Sequence, residues 1–348
     1  MTATSATERA PEVERTPAVD GTTDDAPGGL TRDVRILLHA SAAAVWLGLL
    51  LMYERVWLRP RDVSGDLETW AQAVVDGTSA APYQFRLLVP HLVVGLHDAL
   101  GWSVGQATIA VDVVAMAVAV AATAVLLRRL ALEAWVLPIA LYGATLGIGL
   151  LWWGKFETVT AFAGVAIALV GIVSDEARTR WACLLPAAVI LTGTRTDLLI
   201  AVGVALLARW RWAGRRPADL AAGLLLGAAG AVATLALKAA YPDAAYPDGV
   251  SLVQVAHNLQ PLVLLTLVAF LLPALGPWLL ADRQPALRAA LDADREALVP
   301  LLALVLAEVA ATLVVGRVEE VRLLFPLATA LGLLGVVGWR ALLQPRAA

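Results

Sequence analysis

Ten apolar runs separated by short polar turns account for most of the chain. They are Val34 to Met52, Gln106 to Leu127, Ala134 to Trp153, Thr158 to Val173 and Trp181 to Gly193, then Leu198 to Trp210, Ala218 to Ala240, Pro261 to Ala281, Leu298 to Val315 and Val321 to Leu342. Apolar runs near or above ~18 residues read as transmembrane helices. The pattern therefore predicts an all-α, polytopic helical bundle of about ten spans, with residues 31–348 forming one transmembrane domain. Residues 1–30 are rich in Thr, Ala, Pro, Glu and Asp without an apolar period, and read as a disordered cytoplasmic tail. They do not resemble a secretory signal, because the apolar run starts only after Arg32 and Arg35 and no convincing cleavage site follows it.

The longest polar interruption, Arg55 to Pro90, follows the first apolar run. Within it Leu67, Trp70, Ala71, Val74 and Val75 recur at helical spacing, the pattern of an amphipathic helix on a membrane surface. Next comes Arg86 to Leu100, which as a helix is about 22 Å long, short of a hydrocarbon core of ~30 Å. The positive-inside rule decides how to treat it. With a cytoplasmic N-terminus and 86–100 lying at the surface or re-entering, the basic groups at Arg128-Arg129, Arg178 with Arg180, Arg209 to Arg216, Arg283 to Arg295, and Arg340 with Arg346 all fall inside. A full crossing would move the basic loops that follow to the other side. The expected protein is thus a multi-pass plasma-membrane protein with both termini cytoplasmic, and 55–105 is its first extracytoplasmic loop.

Composition agrees with this pattern. Of 348 residues, 59% are hydrophobic and 16% charged, against roughly 25% charged in soluble domains. A net charge of −3 without a basic cluster on a soluble domain gives no support for a nucleic-acid partner. The single cysteine, Cys183, leaves no disulfide framework or thiolate zinc site. The abundance of Ala, Val, Leu, Arg and Trp points to a GC-rich bacterial genome. Nucleotide-binding and zincin motifs are absent from the sequence, and no loop is long enough for a soluble catalytic domain. His91 and His97 lack ligand spacing, so neither a metal nor a cofactor is expected.

The chosen topology brings the other polar interruptions to the outer side, and these hold the candidate chemistry. Asp66 and Glu68 fit either a helix cap or a general base. Arg86 fits a snorkelling side chain or a planar fork for phosphate. Lys155 with Glu157, and Arg195 with Asp197, flank apolar runs. The runs on either side of Arg195 and Asp197 make helices of only about 20 Å, which places these two charges below the outer surface. A charge at the bilayer centre costs about 2.5–3.5 kcal/mol on insertion scales. Such groups either pair to hold helices together or line a cavity; convergence of several on one side favours the cavity. Glu319, Glu320 and Arg322 enter the last span. Glu308, deep in an apolar run, calls for a cation that the sequence does not identify.

From about Arg35 to Leu342 the arrangement resembles the GT-C superfamily of polytopic glycosyltransferases. The resemblance is carried by Asp66 and Glu68 in a first outer loop that looks like paired juxtamembrane helices, with Arg86, Lys155, Arg195 and Arg322 at outer helix ends. The chain departs from many members in lacking a C-terminal periplasmic domain and an adjacent Asp-Asp or Asp-Glu pair. The resemblance implies transfer of a sugar from a polyprenyl-phosphate donor to an envelope glycan or lipid acceptor, in the bilayer and on its outer side. Asp66 would act as base, and Arg86, Arg195 or Arg322 would neutralise the departing phosphate. Glu68, Glu157 or Asp197 would orient those cations or bind hydroxyls. Two other readings compete: a transporter or flippase of an anionic or sugar-bearing lipid, and a non-catalytic envelope-assembly protein. The inner side reads as mainly exposed arginines without matching buried carboxylates, which favours the enzyme over the transporter.

Overall fold

The computed structural model describes residues 66–130, 132, 157–244, 254–315 and 321–343, with the side chains of Asp66, Val321 and Arg322 outside that description. The regular elements are helical throughout. They are α1 (Asp66–Val75), α2 (Leu88–Leu100), α3 (Val104–Arg129), α4 (Thr158–Ile172), α5 (Ala177–Thr194) and α6 (Thr196–Arg209), followed by α7 (Pro217–Ala240), α8 (Val255–Asn258), α9 (Pro261–Leu275), α10 (Pro285–Ala293), α11 (Arg295–Val315) and α12 (Ala328–Leu343). Among the described residues, five helical stretches are long and apolar enough to cross a membrane: Val104–Arg129, Pro217–Ala240, Pro261–Leu280, Arg295–Val315 and Leu323–Leu343. The expected runs at Val34 to Met52 and Ala134 to Trp153 lie outside the described residues. Three others form the helices α4, α5 and α6, of 15, 18 and 14 residues.

Local chemistry sets the boundaries. Gly101, in the left-handed region at φ 67°, ends α2, a conformation that glycine adopts without steric cost. Two residues later Ser103 and Gln106 form a reciprocal capping box that starts α3. Pro217, Pro261 and Pro285 stand in the first turns of α7, α9 and α10, where a missing N–H costs nothing. The sequence of α4 is apolar on every side, and 13 of its residues are buried. Such a helix belongs at the centre of a bundle. There it packs against α3, α5 and the 3-10 turn Val321–Leu327, with Phe162 and Phe325 ring centroids 5.0 Å apart.

The polar loop between the first apolar run and α3 folds onto the bundle. Leu67, Ala71, Val89, Val93, Val104 and Ala107 form a small second core shared by α1, α2 and the start of α3. The amphipathic reading of α1 holds for Leu67, Ala71 and Val74, which are buried. Trp70 differs: it is exposed, because its ring stacks on Tyr83 of the following turn rather than entering that core. Segment 86–100 is helical from Leu88 onward and runs for 13 residues, about 20 Å.

Polar contacts gather at the two ends of α6. At the first end Arg195 reaches the Leu323 carbonyl and bonds Glu308 on α11. At the second, Arg209 reaches Ile172, Asp175 and Glu296. Helices α7 and α11 extend past the first end of their shorter neighbours. Thr234 bonds Thr196 at the head of α6, six residues before α7 finishes at Ala240. Glu308 lies seven residues before Val315. At 1.5 Å per residue, α7 and α11 therefore continue about 9–11 Å beyond Arg195.

Candidate functional site

Arg86 is placed by a built turn. Gln84 is fully buried; its side chain accepts the Ser79 N–H at 2.9 Å and donates to the Val74 carbonyl at 2.9 Å. This fixes the 3-10 turn Tyr83–Phe85 against α1. Tyr83 stacks on Trp70 with centroids 6.0 Å apart and ring planes 19° apart. On the next residue but two, the Arg86 guanidinium lies over the Tyr83 ring at 5.4 Å. One Arg86 N–H donates to Glu157, the residue that precedes α4.

Arg195 sits at the break between α5 and α6, with extended backbone at φ −149°, ψ 92°. Its Nε donates to Asp197 Oδ1 at 3.2 Å and its Nη1 to the Leu323 carbonyl at 2.6 Å. Its Nη2 donates to Asp197 Oδ2 and, at 2.5 Å, to Glu308 Oε1. Arg195 is thus the cation that Glu308 requires. Arg86 lies within electrostatic range of Asp197, and Arg195 within range of Glu157. The five side chains form one cluster, with two guanidiniums against three carboxylates. Glu308 is fully buried, and its Oε2 makes no hydrogen bond. Asp197 has the most open carboxylate, its side chain 39% exposed.

The two arginines differ in what they have left to offer. A guanidinium carries five N–H donors. Arg195 makes four hydrogen bonds and is almost saturated. Arg86 makes one, to Glu157, and its ring contact uses the guanidinium face rather than its edge.

The other sequence candidates fall as follows. Asp66 opens α1, and Glu68 is exposed two residues later. Helix α1 meets the cluster through the Trp70–Tyr83–Arg86 stack. Arg322 belongs to the 3-10 turn beside Leu323. Lys155 and Glu319 lie outside the described residues, as does Glu320. His91 and His97 contact the Leu87 and Trp102 carbonyls, and among the described residues no group of three or more His, Cys, Asp or Glu has metal-binding proximity.

The opposite end corrects one expectation. Asp219 is fully buried, 2.8 Å from Arg180 Nη1 and 3.7 Å from Arg209 Nη1. Arg209, also buried, donates to Asp175 at 2.7 Å and to Glu296 at 3.0 Å. Arg216 bridges the same two carboxylates. The arginines at this end are matched by carboxylates, one of them buried, three against three. Position along the chain concealed this: Asp219 is the second residue of the run Ala218 to Ala240, and only helix packing brings it to Arg180 of α5 and Arg209 of α6. Burial pushes the Asp175 carboxyl up, but hydrogen bonds from Arg216 and Arg209 outweigh it and hold the group below its ordinary range.

Fold and site together define an all-helical bundle with helices able to span a membrane and a charge cluster at either end. No family model, curated protein or solved structure matches the chain.

Proposed function

We propose that this chain is an integral membrane glycosyltransferase that moves a sugar from a polyprenyl-phosphate donor to an extracytoplasmic envelope acceptor. In this reading it has about ten spans, both termini are cytoplasmic, and 55–105 is an outer loop whose short helix lies at the surface or re-enters. The observation that carries the reading is the Arg86 guanidinium, whose donors are largely unspent. It belongs to a charge cluster set about 9–11 Å below the ends of α7 and α11. An anionic lipid phosphate entering from the bilayer meets there a planar fork suited to it.

In the reaction, the acceptor hydroxyl oxygen bonds to the anomeric carbon as the bond from that carbon to the phosphate oxygen breaks. The electron pair leaves with the polyprenyl phosphate, and Arg86 stabilises the charge that develops there. Asp66 takes the hydroxyl proton. Asp197 is less suited to that task, because both its oxygens are engaged by Arg195. Arg195 is a positioning residue that holds Asp197 and Glu308 in place. The test uses the purified chain in lipid with radiolabelled polyprenyl-phosphate sugars. Turnover is expected, with Asp66→Asn slowing it by about 10²–10⁴-fold and Arg86→Lys lowering it while leaving the protein folded. Full transfer by Asp66→Asn would remove Asp66 as base.

The buried Arg180–Asp219–Arg209 group favours a second reading, a transporter or flippase for a similar lipid. A pathway open to both faces needs ionisable groups at both ends, and the chain has them. Movement of labelled lipid between leaflets without cleavage of the sugar–phosphate bond would support it.

A further inference from the structure

The connection from α6 to α7 divides its arginines into two kinds. Arg209 and Arg216 turn inward and bond Asp175 and Glu296. Arg211 and Arg215, between them in the chain, are exposed, and among the described residues neither has an ion pair. With Arg180 and Asp219 included, the connection and its partners hold five guanidiniums against three carboxylates. The surplus of positive charge is this exposed pair. Trp212, 57% exposed, stands next to Arg211.

Two helices able to span a membrane set the level of the pair. Helix α7 starts at Pro217, directly after this connection, and α11 starts at Arg295, with Glu296 of its first turn bonded to Arg209 and Arg216. Their lengths, about 36 and 32 Å, fill a hydrocarbon core of ~30 Å, so in a bilayer the connection lies among the headgroups. Its backbone adds an independent observation. The chain leaves α6 through a π-helical turn, Trp210–Gly214, closed by a hydrogen bond from the Arg215 N–H to the Trp210 carbonyl at 2.9 Å. Arg215 itself is left-handed at φ 51°, a conformation that crowds any Cβ and that glycine usually supplies at a helix end. Gly214 stands one position too early to do so. The strained position keeps an arginine, and strain of this kind collects where a side chain has a task.

We infer that Arg211 and Arg215 form a headgroup site for an anionic phospholipid, holding its phosphate between two guanidiniums while Trp212 packs at the boundary of headgroup and acyl chain. The two arginines stand four residues apart, one turn from each other, and a guanidinium presents paired N–H donors to a phosphate. Arg209 and Arg216 hold the base of the site by tying it to α11. The inference is independent of glycosyl transfer, since it concerns the opposite end of the bundle from Arg86. General attraction of basic loops to a charged membrane surface is the competing role. The two differ in whether the effect belongs to this pair or to any exposed arginine.

The experiment titrates the full chain in detergent micelles with phosphatidylglycerol and with phosphatidylcholine of the same acyl chains, and counts bound lipid by native mass spectrometry. Wild type is expected to bind phosphatidylglycerol roughly 10–30-fold more tightly, about fivefold for each arginine. Arg211→Gln and Arg215→Gln should each cut that preference by about fivefold. Arg283→Gln, which removes an exposed arginine just before α10, should leave it unchanged. Arg215→Gly guards against misfolding as an explanation, because glycine takes left-handed backbone without cost. It should match or exceed wild type in thermal stability in phosphatidylcholine while losing the preference as Arg215→Gln does. An undiminished preference in the double variant Arg211→Gln/Arg215→Gln overturns the site. An equal loss in Arg283→Gln does the same, as the mark of general surface charge. Displacement of the lipid by equimolar inorganic phosphate would make the pair a soluble-anion site and overturn the lipid assignment.

Discussion

At the scale of single residues, the informative quantity is how each buried cation spends its donors. Arg195 satisfies two carboxylates and a carbonyl and has little left for a ligand; Arg86 spends one donor and stacks by its face. Both were equal candidates in the sequence, since chain position says nothing about which partners fold into reach. At the other end, Asp175 gives a prediction with a definite sign. Its folded-state carboxyl lies below the ordinary value near 3.9. The stability it contributes is therefore fully present above about pH 4 and is lost as pH falls through the lower folded value. Thermal unfolding in detergent should show wild type losing stability below about pH 4 more steeply than Asp175→Asn. Parallel curves would mean that the Asp175 pairs contribute nothing in solution.

Helix α6 is the element on which the bundle's register turns. Arginines stand at both of its ends, and each bonds the same partner: Arg195 with Glu308 at 2.5 Å and Arg209 with Glu296 at 3.0 Å, both on α11. Sliding α6 along α11 by one turn would break both pairs and strand the buried Glu308, a change that costs several kcal/mol for the Arg195–Glu308 pair. On its other side α6 meets α7 with almost no side chain between them. A Cβ on Gly203 would lie 2.6 Å from the Gly227 nitrogen and 2.8 Å from the Gly223 carbonyl oxygen. Backbone, unlike the end of a side chain, does not move aside. Gly203→Ala is therefore expected to destabilise the fold by about 1–3 kcal/mol. The check is thermal unfolding beside Gly95→Ala, where the added methyl meets no atom within 4 Å. A Gly203→Ala protein as stable as wild type would show that α6 and α7 are not so closely packed.

For the whole molecule, the expected topology makes a statement about sidedness that can be measured. Glu68 and Arg340 are both exposed, the first on α1 and the second in the last turn of α12. The outer-loop reading predicts that they face opposite sides of the membrane. In a Cys183→Ser background, Glu68→Cys should react with a membrane-impermeant maleimide in intact cells. Arg340→Cys should react only after permeabilisation. Labelling of both without permeabilisation would overturn the orientation and move the proposed site with it.

How much of this was legible in the sequence follows from the range of the forces involved. Apolar periodicity is local, so the sequence by itself determined the all-helical class, the run that became α4, and the α1 face of Leu67, Ala71 and Val74. It also marked Glu308 as a charge in need of a partner, since a lone carboxylate in an apolar run violates a local rule. The partner is 113 residues away in the chain, and no local pattern points that far. The same holds for Asp219 between Arg180 and Arg209, and for Trp70, whose stack depends on a turn fixed by buried Gln84. Ion pairs and ring stacks form through space and fall off over a few ångströms. Only the tertiary structure decided which arginine is spent on holding helices together and which keeps most of its donors unspent.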